Sequence, residues 1–307
     1  MIVWTSIHRA ASTTAAAVVA LALMGSVSEA QQSFPTPEAA AGALAVAVKG
    51  GASDILKVLG KAADDIVSSG DEVADADTRL RFTSMYDAKH AIKTEGNKRA
   101  TLMLGTDDFP FPIPLINTKK GWEFDTEEGR IEVLYRRIGR NELDAIQTSL
   151  AYVDAQNEYA EKDRGEGAGV YAQRIVSTPG KKDGLFWRDD GDPSPMGALV
   201  AEASTEGYQV GEKPQPYHGY YFRILKGQGA NAPGGALIYL VKGKMIGGYG
   251  LIAWPAEYGN SGVKTFVVNH AGTVYEKDLG PQTDRIVRRM SLFDPDQTWK
   301  KVDAEKP

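Results

Sequence analysis

The stretch Thr126–Asp163, TEEGRIEVLYRRIGRNELDAIQTSLAYVDAQNEYAEKD, carries two apolar stripes that are out of phase with each other. Ile131, Leu134 and Ile138 share one helical face, and Leu143, Ile146, Leu150 and Val153 share another, each at steps of three and four residues. The step from 138 to 143 breaks the period. Gly139 lies in the gap, and Asn141 with Asp144 has the spacing of an N-cap and its partner three residues on. The pattern predicts two helices meeting near 139–141. An N-terminal domain (31–140) and a C-terminal domain (141–301) would then adjoin there, leaving a tail at 302–307.

On the N-terminal side, Thr36-Pro37-Glu38 offers a hydroxyl N-cap with proline at the first helical position, and Gly50-Gly51 stops the Ala-rich run that follows. A short helix is expected at Ile55–Leu59 and a longer one from about Asp77 to His90, where Leu80, Phe82, Met85 and Tyr86 keep near-helical spacing. Asn97–Leu104 reads as a strand. Leu115–Thr118 and Trp122–Asp125 flank a Lys119-Lys120-Gly121 turn as a hairpin. On the C-terminal side a loop with Gly165, Gly167 and Gly169 leads into a Pro/Gly/Asp-rich stretch (177–195) and a short helix at Met196–Ser204. Strands follow at Tyr217–Lys226, Leu237–Val241, Gly250–Trp254, Val263–Asn269 and Thr273–Lys277. This order predicts an α+β fold: a helical and curved-hairpin N-terminal domain, then a long helix packed on an antiparallel sheet.

The first thirty residues read as a signal peptide, with an uncleaved anchor as the alternative. Arg9 precedes the apolar run AAAVVALALM (Ala15–Met24), and Ser28-Glu29-Ala30 offers small residues at a cleavage site. Ten strictly apolar residues are too few for a bilayer core of about 30 Å at about 1.5 Å per residue. No later stretch is apolar enough to span a membrane, so the expected location is exported, periplasmic or secreted. Removing residues 1–30 takes one Arg and one Glu, so the formal charge stays at −5. That mild acidity, without any basic run, argues against nucleic-acid partners, which need a positive footprint. The absence of Cys excludes disulfides, thiolate metal sites and a Cys nucleophile.

Several segments resemble one known family. They are Phe34-Pro35-Thr36-Pro37-Glu38-Ala39-Ala40, Phe111-Pro112-Ile113-Pro114-Leu115, Arg137-Ile138-Gly139-Arg140-Asn141-Glu142-Leu143, and Ala151-Tyr152-Val153-Asp154-Ala155-Gln156. Further on come Ser177-Thr178-Pro179-Gly180-Lys181-Lys182-Asp183-Gly184-Leu185, Pro216–Leu225 (PYHGYYFRIL), Lys244-Met245-Ile246-Gly247-Gly248 and Ala253–Gly259 (AWPAEYG). Over about residues 34–300 the chain looks like an exported bacterial family, domain of unknown function twenty-nine fifty. That resemblance implies export and carries over no activity. By element order alone, 141–280 is similar to the head of type IV pilins and pseudopilins, and 34–140 is loosely similar to nuclear-transport-factor-like or cystatin-like folds.

The common catalytic patterns are missing. Gly227-Gln228-Gly229-Ala230-Asn231-Ala232 has the letters of a dinucleotide fingerprint, but Pro233-Gly234-Gly235 follows where the fingerprint needs a helix. There is no His-Glu-x-x-His and no Gly-x-Ser-x-Gly. Phe109–Pro114 alternates proline with large apolar residues and cannot be a central strand; it reads as a rigid edge that plugs the core. His90 is expected to end a helix, His270 to sit in a turn and His218 to open a strand.

No cofactor is expected. The expected role is non-catalytic: binding or assembly with an envelope protein or glycan through an aromatic patch of Tyr217, His218, Tyr220, Trp254, Glu257 and Tyr258, since rigid aromatics with few polar groups suit a recognition groove. The alternative is an envelope hydrolase, which requires His218, Glu257 and His270 to share a pocket. A metal-dependent module would instead gather oxygen ligands near Asp163, Asp183 and Asp189.

Overall fold

The structure, a computed structural model, describes residues 31–188, 191–209 and 215–303. The signal-peptide reading of residues 1–30, the position of Asp189 and most of the expected tail lie outside the described residues. The architecture is α+β.

The N-terminal layer is built first. Helix α1 (Pro37–Gly50) starts where expected: the Ala39 amide donates to the Thr36 hydroxyl at 3.1 Å, and Pro37 fills a position whose amide would have no helical partner. Helices α2 (Ala52–Leu59) and α3 (Asp64–Val67) follow, then α4 (Glu72–Ala88). Strands β1 (His90–Glu95), β2 (Arg99–Leu104), β3 (Phe109–Pro110), β4 (Leu115–Thr118) and β5 (Gly121–Phe124) form one antiparallel sheet in the order β1-β2-β4-β5, with β3 beside the end of β2. Leu44, Ile55, Val58 and Leu59 pack there against Leu115 and Phe124. Phe109-Pro110 lies at the sheet edge, and Ile113 plugs the core behind it.

Three expectations need correction here. Helix α4 begins at Glu72, five residues earlier than the apolar spacing indicates, because Asp71 caps it and its first turns are polar. Strand β1 escapes a pattern reading because only Ile92 is even half-buried, so nothing alternates. His90 opens this strand instead of ending the helix; its ring still reaches back, with Nδ1 2.9 Å from the Tyr86 carbonyl.

Helix α5 runs unbroken from Thr126 to Ala160, thirty-five residues. The expected break at 139–141 does not occur. Val133 packs on the N-terminal core, whereas Ala145, Ile146, Tyr152, Val153 and Tyr159 belong to the C-terminal core. The shift in apolar phase therefore marks a change of buried face, not a change of helix. A mid-helix glycine costs about 1 kcal/mol relative to alanine. Gly139 is tolerated because bonds from Arg137 and Asn141 pin the flanking turns. Gly129 has a different reason: a Cβ there would lie 2.5 Å from the Ile113 backbone, so the helix touches the hairpin sheet at that point.

The C-terminal part contains α6 (Gly197–Glu206), β6 (Tyr220–Leu225), β7 (Gly227–Gln228), β8 (Leu237–Ile238), β9 (Leu240–Val241), β10 (Lys244–Met245), β11 (Gly250–Pro255), β12 (Lys264–Asn269), β13 (Val274–Asp278), α7 (Thr283–Val287), β14 (Leu292–Phe293) and β15 (Lys300–Lys301). The main sheet is antiparallel, ordered β15-β13-β12-β11-β6. Alternate residues face opposite sides. Leu251, Ala253, Phe266 and Val268 meet α5, while Ile252 and Val267 meet Val287 and Phe293 behind the sheet. The expected single strand at Leu237–Val241 is two short ones, interrupted at Tyr239, whose hydroxyl donates to Gln228 Oε1 at 3.0 Å inside the core.

Candidate functional site

Between α4, α5 and the C-terminal sheet lies a polar cleft of about 240 Å³. Its walls come from Ser69–Arg81, Arg137–Asp144, Glu206–Tyr208 and His218, segments far apart in sequence.

Local chain chemistry places His218 there. His218 and Gly219 both have positive φ, +47° and +74°, and the Tyr217 and Tyr220 backbones bond across them at 2.8 and 3.1 Å. This is the geometry of a tight two-residue hairpin turn. It corrects the expected strand start at Tyr217: pairing in β6 begins at Tyr220, and His218 is turned into the cleft. Its Nδ1 lies 3.0 Å from Asp144 Oδ2 and its Nε2 2.8 Å from Glu206 Oε2. Burial disfavours the charged ring, but the hydrogen bonds and charges of the two carboxylates outweigh burial and push its pKa up to about 9. At neutral pH the group is an imidazolium with both nitrogens engaged.

The sign of the pH effect follows. The folded pKa lies above the roughly 6.5 of an unfolded histidine. The pair of ion contacts therefore contributes fully below about pH 6.5, and the contribution is lost as pH rises through about 9. Allowing for partial exposure, we expect the stability gap between the native chain and His218→Ala to shrink by about 1–2 kcal/mol between pH 6 and pH 9.5. Urea midpoints of both proteins at the two pH values give the answer, and a constant gap would refute it.

Behind the histidine sits Asp71, 1% exposed. Its Oδ1 accepts from the Val73 and Ala74 amides at 3.2 and 3.1 Å, and its Oδ2 from the Tyr208 hydroxyl and the Gly219 amide, both at 2.9 Å. Burial, then the Asp71 charge, raise the Tyr208 pKa, so that hydroxyl remains protonated and donating. Deeper still, the Arg137 guanidinium donates to the Asp65 carbonyl at 2.8 Å, to the Ile66 carbonyl at 2.6 Å and to Asn260 Oδ1. Asn260 Nδ2 in turn donates to the Ser68 carbonyl at 2.9 Å and to Glu257 Oε2 at 2.8 Å.

The six residues of the expected aromatic patch do not form one surface. Tyr220 is fully buried and donates to the Lys264 carbonyl at 2.9 Å. Trp254 lies on the far side of the sheet with Tyr221 and Arg223. Tyr258 is 3.3 Å from Asp278 through its hydroxyl, and Glu257 holds Asn260. Tyr217 stacks on His218 at 4.1 Å and is the one aromatic of the six beside the cleft. The hydrolase triad does not assemble either. His218 and Glu257 lie beyond one end of β11, near the Pro255–Tyr220 pair, and His270 follows Asn269, which pairs with Gly250 at the other end. Six strand residues separate them, roughly 17 Å at the usual rise. Asp163 and Asp183 are occupied by local turns, accepting from Gly165 and Gly167 and from Thr178 respectively. Among the described residues no group of three or more His, Asp and Glu side chains has metal-holding geometry.

Asp71, Arg137, Arg140, Asp144, Glu206 and Tyr208 escape the sequence reading. Asp71 had a local signal, an N-cap residue after Gly70. Asp144 was visible but taken for a capping partner. Nothing local marks Glu206 or Tyr208.

The cleft opens into an apolar groove of about 270 Å³ beneath α4, and Asp75, Thr78, Arg81, Arg137 and Arg140 line both. A family model described as Protein of unknown function (DUF2950) matches residues 31–302. No curated protein and no solved structure matches the chain, so the likeness to pilin heads rests on element order alone.

Proposed function

The chain belongs to the family of proteins of unknown function that its residues 31–302 match, and on that premise we propose that it is a non-catalytic binding module of the bacterial cell envelope whose ligand occupies the cleft at His218. The observation that carries this reading is the cleft itself: a concave site, walled by four segments distant in sequence, with both ring nitrogens of its histidine against carboxylates. Small-ligand sites are concave and carry a few placed polar groups, and the cleft has both features. The separation of His218 and Glu257 from His270 counts against the hydrolase alternative. Export rests on the signal-like residues 1–30, and no helix among the described residues is long and apolar enough to cross a membrane.

Native mass spectrometry of the chain, purified as its host makes it and never denatured, tests the proposal. The expected result is an adduct that unfolding releases and that Thr78→Trp, an exposed change in the shared wall of cleft and groove, abolishes. A bare mass, or an adduct that Thr78→Trp retains, would refute it. Deleting residues 1–30 is expected to move the protein from the periplasmic or secreted fraction to the cytoplasm.

A further inference from the structure

Resting on that reading of the cleft, we infer that the ligand is a single-chain amphiphile: an anionic head held by Arg81 and Arg140, and an apolar chain lying in the groove beneath α4.

The groove supplies the first half of the argument. Val48, Val67, Phe82, Met85, Phe111 and Val133 are among the side chains lining it, contributed by α1, α3, α4, α5 and the segment that follows β3. Such a wall gains from excluding water and offers a chain almost no hydrogen-bonding partner. Met85 and the aromatic rings can adjust to chains of differing length. At about 270 Å³ the groove lies just below the usual range for ligand pockets, roughly 300–1,000 Å³. That size suits one alkyl chain and not the two chains of a phospholipid.

The arginines supply the second half. Five arginines, at 79, 81, 136, 137 and 140, line the groove. Arg137 is consumed by the Asp65, Ile66 and Asn260 oxygens, and Arg136 by Glu132 at 2.6 Å, with Phe109 beneath it. Arg79, Arg81 and Arg140 have no hydrogen bond or ion pair from their guanidiniums among the described residues. The nearby acids form no ion pair with them among the described residues, although Asp77 and Asp144 each lie one helical turn from Arg81 and Arg140. Asp75 accepts from the Ser69 amide, and Asp144 and Glu206 are spent on His218; Asp77 alone lines the cleft without a side-chain partner. Arg81, from α4, and Arg140, from α5, both line cleft and groove, where one anionic group would meet the two guanidiniums. A guanidinium pairs with a carboxylate or phosphate through two parallel hydrogen bonds. An apolar wall and two unpaired guanidiniums at one end together point to an amphiphile, whether a fatty carboxylate or an alkyl phosphate.

Titration calorimetry below the critical micelle concentration tests this, with decanoate, decyl phosphate, decanol and inorganic phosphate as probes. Decanoate or decyl phosphate is expected to bind saturably at one site, at least tenfold tighter than decanol or inorganic phosphate. Which of the two anions binds more tightly identifies the head. Affinity is expected to rise about fourfold per methylene from hexanoate to decanoate. Arg81→Gln and Arg140→Gln, both exposed changes, are each expected to weaken binding about five- to tenfold while leaving decanol binding and the melting temperature unchanged. Equal binding of decanol and decanoate, phosphate binding as tight as decyl phosphate, or indifference to both arginine changes would overturn the inference. Failure of every amphiphile, with the Thr78→Trp-sensitive adduct still present, would refute the ligand class and leave the cleft reading standing.

Discussion

Asp71→Ala is expected to destabilise the chain by about 3–4 kcal/mol. This exceeds an ordinary surface or capping change because one buried carboxylate serves three separate structures. It caps α4 through the Val73 and Ala74 amides, holds the Tyr208 hydroxyl at the end of the α6 segment, and fixes the His218-Gly219 turn through the Gly219 amide. Loss of an N-cap costs about 1 kcal/mol. Each of the other two donors is left buried without a partner at about 1–3 kcal/mol, part of which relaxation and water recover. Urea unfolding followed by circular dichroism should show the loss, and the melting temperature should fall by about 10 °C. Asp71→Asn should lose less: one oxygen still caps the helix, but its NH₂ then faces the Gly219 amide, donor against donor. In a double-mutant cycle with Tyr208→Phe, the two changes should cost at least 1 kcal/mol less together than the sum of the single changes. A loss under 1 kcal/mol for Asp71→Ala would mean that the four contacts do not hold in solution.

Arg137→Ala should cost about 3 kcal/mol by a different route. The guanidinium is largely buried, and burial holds its pKa below the usual arginine value. Its donors satisfy the Asp65 and Ile66 carbonyls and orient Asn260, whose amide reaches Ser68 and Glu257. Truncation leaves two carbonyls and one side-chain oxygen without their donor and opens a gap between α3, α5 and the turn after β11. Lysine has one point of charge where arginine has a planar fork, so Arg137→Lys should recover less than half of the loss. Asn260→Ala in the Arg137→Ala background should add under 1 kcal/mol, because the link is already broken. Full additivity in denaturant titrations would show the two residues to act separately.

Periodicity and capping residues carried much of the fold. Thr36-Pro37, the 115–124 hairpin and the strands between 250 and 278 were legible because each has a local cause: a cap, a turn, an alternation. The α+β class follows from their order. The unity of α5 was not legible. A stripe that changes phase looks the same whether the helix ends or its surroundings change, and only the tertiary neighbours of Val133 and Ile146 distinguish the two. Strand β1 was silent because an exposed edge strand has no apolar period. The cleft was largely hidden for the same reason. Its polar residues come from four segments, and a carboxylate such as Asp71 or Glu206 reads as one more solvated charge until a partner 137 or 12 residues away is known. Aromatic richness drew attention to Tyr217 and His218, which lie at the cleft, and equally to Tyr220, which the sheet buries, because a tyrosine in a sheet core has the same letter as one in a groove.

The unbroken α5 also limits how the protein can move. Thirty-five residues at about 1.5 Å each make a strut roughly 50 Å long, shared by both cores, with no joint at Gly139 where a hinge would otherwise be placed. A jaw-like closure of the two halves would have to bend this helix. Helix α4, by contrast, has no buried side chain and is tethered at its N-terminus by Asp71. Opening the groove from that side would require Phe82, Met85 and Tyr86 to lift from the sheet while α5 stays in place.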